Sequence, residues 1–202
     1  MRLIGPWFSP FTRREGVTLN LLDIPFEHVS LHAFEQREAV RAFNPMGKVP
    51  ILILDDGEQL IDSSAIVDHL DEAVGPDRAL LPPAGSQRRR ALQRIGTALA
   101  VIEKASAVYY EAAKGDHGLP AIDRTDAAGQ AIVGLGVLEA EAGESWFGGD
   151  RPDQVDVSVI IAFQTAAFIL PGAVSSEEHP KLAALSERAG AMPAFASTMP
   201  SM

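Results

Sequence analysis

The residues Val49 and Pro50 come directly before a short apolar run, and the backbone there could bind a peptide. Val49-Pro50 stands directly before the apolar residues Ile51 to Leu54, and proline is tolerated at the first residue of a strand. A cis bond at this point would turn the backbone N–H and C=O of Val49 outward, where an extended peptide can pair with them like an added strand. The pattern therefore predicts a docking point for a short peptide at Val49.

An acid and a serine open the next helix, and together they suit a zwitterionic group. Asp62-Ser63 precedes apolar residues at helical spacing, namely Ala65, Ile66, Val67, Leu70 and Val74. The first-turn N–H groups of a helix favour a carboxylate, while the Asp62 side chain can receive an ammonium group. Asp and Ser are also ordinary helix caps, so a purely structural cap is the alternative.

A third stretch, Ser9-Pro10-Phe11, could lower the pKa of a bound thiol. Pro10 suits the first turn of a helix and Ser9 suits its N-cap. A thiol held there would lose its proton more readily, because the Ser9 hydroxyl can donate to the thiolate and the helix dipole favours negative charge. A dipole contribution of up to about 2 kcal/mol corresponds to roughly one to one and a half pKa units. The alternative is that Ser9 only caps the helix.

The elements that must position these residues change in character along the chain. Up to about residue 75, strand and helix patterns follow the order strand, helix, strand, helix, strand, strand, helix, with Asp55-Asp56-Gly57 as a hairpin turn. Residues 76–86 have the proline and glycine content of a linker. The rest is helical, over Gln87 to Lys114, Thr125 to Glu141, Asp153 to Leu170 and Lys181 to Gly190. We expect one domain at residues 1–75 and a second at residues 87–202.

Together these motifs resemble the glutathione site of the cytosolic glutathione transferases. Ser9-Pro10-Phe11 is similar to the Ser-Pro-Phe or Cys-Pro-Phe signature of the bacterial, zeta-like and omega-like members. The resemblance implies an α/β + all-α fold, in which an N-terminal thioredoxin-like domain precedes an all-helical C-terminal domain. It covers essentially the whole chain, because Asp153 and Asp156 match a structural capping box of the family.

The resemblance also implies roles for particular residues. Ser9 takes the catalytic position that stabilises the thiolate of glutathione, the co-substrate. The residues implied to bind glutathione are Lys48, Val49, Pro50, Asp62 and Ser63, with Lys48 beside the glycyl carboxylate. A pocket for a small hydrophobic electrophile is implied between the entry loop of the first helix and the helical domain, with Trp7, Phe8, Tyr109 and Tyr110 as its lining.

Two functions of different classes agree with this pattern. The first is a glutathione transferase, or an isomerase of maleyl-type acids that uses the same activated thiolate. The second is a non-catalytic interaction module, since transferase-like folds also serve that purpose. Ser9 and the two binding motifs favour the enzyme. The run Arg14-Glu15-Gly16 favours the module, because that helix commonly continues Arg-Val-Arg in the family.

Composition excludes several other classes of protein. The 202 residues carry a net charge of −10, which argues against a nucleic-acid partner because phosphate binding needs a basic surface. The absence of cysteine rules out disulfides, thiolate metal sites and a protein thiol nucleophile. With no secretory signal, no membrane span and no metal motif, we expect a cytoplasmic enzyme without a metal. The family resemblance implies a role in detoxification. The family resemblance adds the expectation of a homodimer.

Overall fold

The computed structural model describes residues 1–113 and 123–200, and these form two compact units. The first contains Met1–Pro83 together with the residues from Gly190 onward, and the second contains Ala84–Ala189. In the first unit the elements follow the order β1 (Arg2–Ile4), α1 (Pro10–Leu21), β2 (Glu27–Val29), α2 (Arg37–Arg41), β3 (Ile51–Ile53), β4 (Gln59–Ile61), α3 (Ser63–Val74) and, at the far end of the chain, α8 (Pro193–Ala196).

A four-stranded mixed sheet in the order β2-β1-β3-β4 forms the centre of the first unit. β1 runs parallel to β2 and antiparallel to β3, while β3 and β4 form the predicted hairpin. Alternate residues of each strand face opposite sides. Leu3 and Leu52 pack in one cluster with residues of α1 and α3. Ile4 and Ile51 pack on the other side in a cluster that includes Val40 of α2.

The second unit consists of helices. They are α4 (Gly85–Ala113), α5 (Arg124–Glu141), α6 (Gln154–Ile169) and α7 (Pro180–Gly190). α4 packs against both α5 and α6. The residues from Gln154 to Phe163 are buried without interruption, as expected of a helix that is apolar all round and lies in the interior. The thioredoxin-like sheet and the all-helical part confirm the predicted fold class.

The end of the chain departs from the predicted domain assignment. Residues from Gly190 onward belong to the first unit and not to the helical one, so the expectation of a second domain over 87–202 is wrong for this segment. Asn20 of α1 donates from Nδ2 to the carbonyl oxygen of Ala194 and to Oγ of Ser197, both at 3.1 Å. These contacts link positions far apart in sequence, which no local pattern reveals. Lys114, the last residue of a predicted helix, lies outside the described residues.

Candidate functional site

The register of the sheet brings the three predicted segments to one edge. Ile4 pairs with Ile51, and Ile51 pairs with Ile61. The carboxyl ends of β1 and β4 therefore lie beside the amino end of β3. The chain leaves this edge toward Ser9 after β1 and enters α3 after β4, while Val49-Pro50 leads into β3. Residues as far apart in sequence as Ser9 and Ser63 thus share one edge of the first unit.

Ser9 forms the N-cap of α1 as the sequence predicts. Its backbone is extended, and its Oγ accepts the N–H of Thr12 at 3.3 Å, while Pro10 occupies the first helical turn. No acidic residue stands in that turn. Because the oxygen acts as acceptor toward the helix, the hydrogen of the hydroxyl can donate in another direction. The Ser9 side chain is half-buried, so it remains accessible to a ligand.

Close packing fixes the loop that leads to Ser9. Gly5 has a φ of +138°, and a Cβ at this residue would lie 2.3 Å from Oγ1 of Thr12. Gly16 of α1 is equally constrained, because a Cβ there would lie 2.5 Å from Cζ3 of Trp7. The Trp7 ring also stacks on His28, with centroids 3.7 Å apart. Because Gly16 has no side chain, the Trp7 ring can pack directly against α1 and hold the loop in place.

The bond between Val49 and Pro50 is cis, the geometry the sequence analysis anticipated. Among the residues that the structure describes, none makes a hydrogen bond to the backbone N–H or C=O of Val49. The preceding turn is held by Asn44, whose Nδ2 donates to the carbonyl oxygen of Lys48 at 2.9 Å. The Lys48 side chain is exposed. Val49 thus offers one donor and one acceptor at the sheet edge.

Asp62 has a backbone conformation that is uncommon for a residue other than glycine. Its φ is +74°, and its Oδ1 accepts the N–H of Ser64 at 2.8 Å as the N-cap of α3. Positive φ at a non-glycine residue costs on the order of 1–3 kcal/mol and often occurs where a ligand is held. Asp62 is exposed, while Ser63, the first residue of α3, is buried.

Two charged residues behind Ser63 complete the site. Nη1 of Arg14 donates to Oγ of Ser63 at 2.9 Å and lies 3.7 Å from Oε1 of Glu15. Both charged side chains are almost fully buried. Burial raises the pKa of Glu15 to about 8, although the nearby Arg14 opposes the shift. Burial likewise lowers the pKa of Arg14.

The aromatic residues predicted for a second substrate fall into both units. Phe8 is largely exposed in the loop before Ser9, whereas Trp7 is half-buried in the packing described above. Tyr109 and Tyr110 lie on α4 of the second unit, with their ring centroids 5.6 Å apart in an edge-to-face arrangement. Both tyrosines are partly exposed, and burial raises the pKa of Tyr110. The first unit therefore supplies one pair of these residues and the second unit the other.

Sequence reasoning missed the role of Arg14 and Glu15 in this arrangement. It noted Arg14-Glu15-Gly16 only as a departure from the pattern of similar proteins. A glutamate at a buried helix position is the signal that could have drawn attention to it, because buried carboxylates are rarely found without a partner. The serine that Arg14 contacts is 49 residues away, so the sequence alone could not supply that partner.

Within residues 1–113 and 123–200, no three His, Asp or Glu side chains gather into a group that could hold a metal ion. In the same part of the chain, no helix is both long enough and apolar enough to cross a bilayer.

Comparison with known proteins identifies relatives over most of the chain. A sequence profile of the glutathione S-transferase N-terminal domain matches residues 3–78. Glutathione S-transferase U8 of Arabidopsis thaliana is 30% identical over 196 residues, which are 93% of this chain and 83% of that protein. A maleylpyruvate isomerase of Ralstonia is 40% identical over 101 residues, 47% of this chain and 46% of the isomerase.

Solved structures extend the similarity to the whole chain. The crystal structure of a glutathione S-transferase from Methylobacterium radiotolerans, in complex with glutathione sulfonate, has a TM-score of 0.89 and 26% identity. The match covers 100% of this chain and 95% of that one. The two units described above thus have a counterpart in a single solved chain that binds a glutathione derivative.

Proposed function

Because this chain belongs to the cytosolic glutathione transferase superfamily, we propose that it ionises the thiol of glutathione at the sheet edge and directs the thiolate to a small electrophile. The observation that carries the proposal is the convergence of Ser9, Val49 and Asp62-Ser63 on that edge. Each segment supplies a different polar group.

Ser9 is the catalytic residue of the proposed reaction. Its oxygen already accepts the Thr12 N–H, so its own hydrogen is available to a thiolate. The amino end of α1 adds a favourable dipole, and its first turn has no acid to oppose a negative charge. A hydrogen bond to a charged partner contributes about 1.5–3 kcal/mol. This is enough to lower a thiol pKa by one to two units, since each unit corresponds to about 1.4 kcal/mol.

The remaining groups hold the rest of the tripeptide. The free N–H and C=O of Val49 pair with the cysteinyl part of glutathione, in the manner of an added strand. Asp62 receives the α-ammonium of the γ-glutamyl part, and Ser63 with the first turn of α3 receives its carboxylate. Lys48, exposed beside Val49, faces the glycyl carboxylate. Pro50 fixes the approach of the chain to β3.

The electrophile is a small apolar molecule bound near Phe8 and the loop held by Trp7. Isomerisation of a maleyl-type acid is the second candidate reaction, favoured by the similarity to a maleylpyruvate isomerase. Both reactions begin with the same thiolate. The enzyme is proposed to work in the cytoplasm as a homodimer, a state that light scattering at micromolar concentration would test.

Calorimetric titration with glutathione near neutral pH tests the proposal. Repeating it in two buffers with different heats of ionisation counts the protons released on binding. We expect fractional proton release, lost in Ser9→Ala and kept in Ser9→Thr, which retains both the hydroxyl and the cap. Turnover of a reactive electrophile should fall roughly 10–100-fold in Ser9→Ala. Binding without proton release would contradict thiol activation, and no binding would favour an interaction module.

A further inference from the structure

A histidine of β2 holds the residue at which the loop to Ser9 begins. His28 lies on this edge strand of the sheet, and its Nε2 is 2.7 Å from the carbonyl oxygen of Gly5. Because a carbonyl oxygen can only accept, Nε2 must carry a hydrogen and donate it. The N–H of Gly5 in turn donates to the carbonyl oxygen of Val29 at 3.0 Å. Both polar backbone groups of Gly5 are therefore bound to β2.

The ring of His28 also supports Trp7, two residues further along the loop. The two rings are stacked, with centroids 3.7 Å apart and an angle of 13° between their planes. Phe26 meets the same tryptophan edge-to-face, with centroids 6.5 Å apart. His28 pairs with Leu3 in the sheet, and Leu3 packs in the cluster that Trp7 and Phe26 also contact. His28 thus contacts the loop twice, at a backbone carbonyl and at an aromatic ring.

A tight turn connects these contacts to Ser9. The N–H of Ser9 donates to the carbonyl oxygen of Pro6, the residue after Gly5, at 3.0 Å. On the helix side, Oγ of Ser9 accepts the N–H of Thr12. The start of α1 therefore fixes one side of Ser9, and β2 fixes the other through the loop. Because a hydrogen bond weakens steeply when its angle departs from linearity, a small displacement of the loop would misdirect the Ser9 hydroxyl even with α1 intact.

We propose that His28 is a positioning residue for thiol activation. By donating to Gly5, it holds the loop of residues 5–9 so that the Ser9 hydroxyl points at the thiolate of glutathione. The proposal rests on the function proposed above, and it gives His28 no contact with glutathione. Val49 and Asp62 belong to other segments of the chain, so loss of the His28 hydrogen bond should affect the thiol and spare the binding of the rest of the tripeptide.

The test separates the hydrogen bond of His28 from its stacking. His28→Phe keeps an aromatic ring against Trp7 but has no donor, whereas His28→Gln loses the ring and keeps an amide N–H donor at about the reach of Nε2. His32→Phe is the matched control, because His32 is also half-buried and its ring makes no hydrogen bond within the described part of the chain.

Three quantities are measured for each variant. The pKa of the bound glutathione thiol is obtained from the ultraviolet absorbance of the thiolate as a function of pH. The dissociation constant of S-methylglutathione, which has no thiol to ionise, is measured by calorimetry. Urea denaturation measures stability, so that a general loss of structure is recognised separately.

We expect His28→Phe to raise the pKa of the bound thiol by roughly 0.5–1 pH unit, a part of the one to two units that the whole Ser9 hydrogen bond would supply. The dissociation constant of S-methylglutathione should stay almost unchanged. His28→Gln should keep the thiol pKa close to that of the wild type, and His32→Phe should not alter it. If His28→Phe does not fold, His28→Met takes its place, since it also lacks a donor.

An unchanged thiol pKa in the variant without a donor would overturn the positioning role, and so would an equal rise in His28→Gln. A different result would instead overturn the proposed function. In that case the bound thiol of the wild type would have the pKa of free glutathione, or Ser9→Ala would leave its pKa unchanged.

Discussion

Helices α3 and α6 both begin with an aspartate cap, but the two helix starts use their acidic groups differently. At α6, Asp153 and Asp156 form a closed capping box. At α3, Asp62 caps through a single oxygen and is exposed, with Arg14 behind the next residue. The same residue type therefore serves two purposes. The two caps differ in the number of hydrogen bonds that their carboxylates already accept.

The start of α6 leaves little capacity for a ligand. Asp156 accepts the N–H groups of Phe147, Gly148 and Asp153 at 2.8–3.1 Å. Asp153 accepts those of Val155 and Asp156. Burial, together with the charge of Asp156, raises the pKa of Asp153 to about 7. Asp156 is buried and Asp153 is half-buried, and both carboxylates are occupied by nearby backbone N–H groups, as a purely structural cap should be.

The start of α3 has the opposite properties. Asp62 is held at a positive φ, and no hydrogen bond from the described residues reaches its Oδ2. The positive φ of Asp62 is a strained backbone conformation. A conventional cap does not need such strain, since the cap residue of α6, Asp153, has an extended backbone. A strained backbone, an unused acceptor and a buried cation at one helix start indicate a binding site.

The largest effect is expected from breaking the closed cap. Asp156→Ala removes the acceptor of three backbone N–H groups, and each such group left unsatisfied in the interior costs about 1–3 kcal/mol. We expect the free energy of unfolding to fall by about 3 kcal/mol or more, measured by urea denaturation. Asp156→Asn, which keeps one carbonyl acceptor, should be intermediate. An unchanged denaturation midpoint in the alanine variant would contradict the structural role of this cap.

A substitution at the open cap should act on binding more than on folding. Asp62→Asn keeps the cap and tolerates a positive φ, but it removes the charge proposed to receive the ammonium group. We expect the dissociation constant of S-methylglutathione to rise roughly tenfold, with a stability close to that of the wild type. Calorimetry and urea denaturation of the same preparation measure the two quantities. A loss of stability without a loss of affinity would make Asp62 another structural cap.

The third prediction concerns the pH dependence of stability. The pKa of Glu15 is raised to about 8 in the folded chain, against about 4.3 for an exposed glutamate. The folded state thus keeps a proton that the unfolded chain has lost, so this contribution to stability is full at low pH and declines as the pH rises toward 8. Glu15→Gln has no such proton. From about pH 5 to about pH 8, the wild type should lose roughly 3–4 kcal/mol relative to the variant.

Denaturation of both proteins across this pH range measures the difference directly. Because both proteins share the other titrating groups, their difference isolates the contribution of Glu15. Parallel pH profiles for wild type and variant would show that Glu15 is not protonated in the folded chain.

Both helix starts could be located from the sequence because a cap is a local pattern. Asp153 and Asp156 lie three residues apart, and Asp62-Ser63 directly precedes an apolar helical repeat. The difference between them could not be predicted, since it depends on Arg14, 49 residues from Ser63. The sheet was predictable for the same local reason.

Gly16 shows a second limit of sequence reasoning. In the sequence, a glycine at this position predicts a less stable helix, because glycine has a low helix propensity. In the structure it admits the Trp7 ring beside the backbone of α1. The short helix α8 was not predicted either, since four residues carry no measurable periodicity.

The return of the chain to its first unit determines the order in which that unit can be completed. The helical unit is, in sequence, an insertion between α3 and α8. During synthesis from the amino end, α1 can pair with the sheet early, but Asn20 finds its partners at Ala194 and Ser197 only after the whole insertion has been made. The helix capped by Ser9 therefore cannot reach its final packing until Ala194 and Ser197 have been made, and a separately expressed fragment of residues 1–83 would leave that face of α1 uncovered.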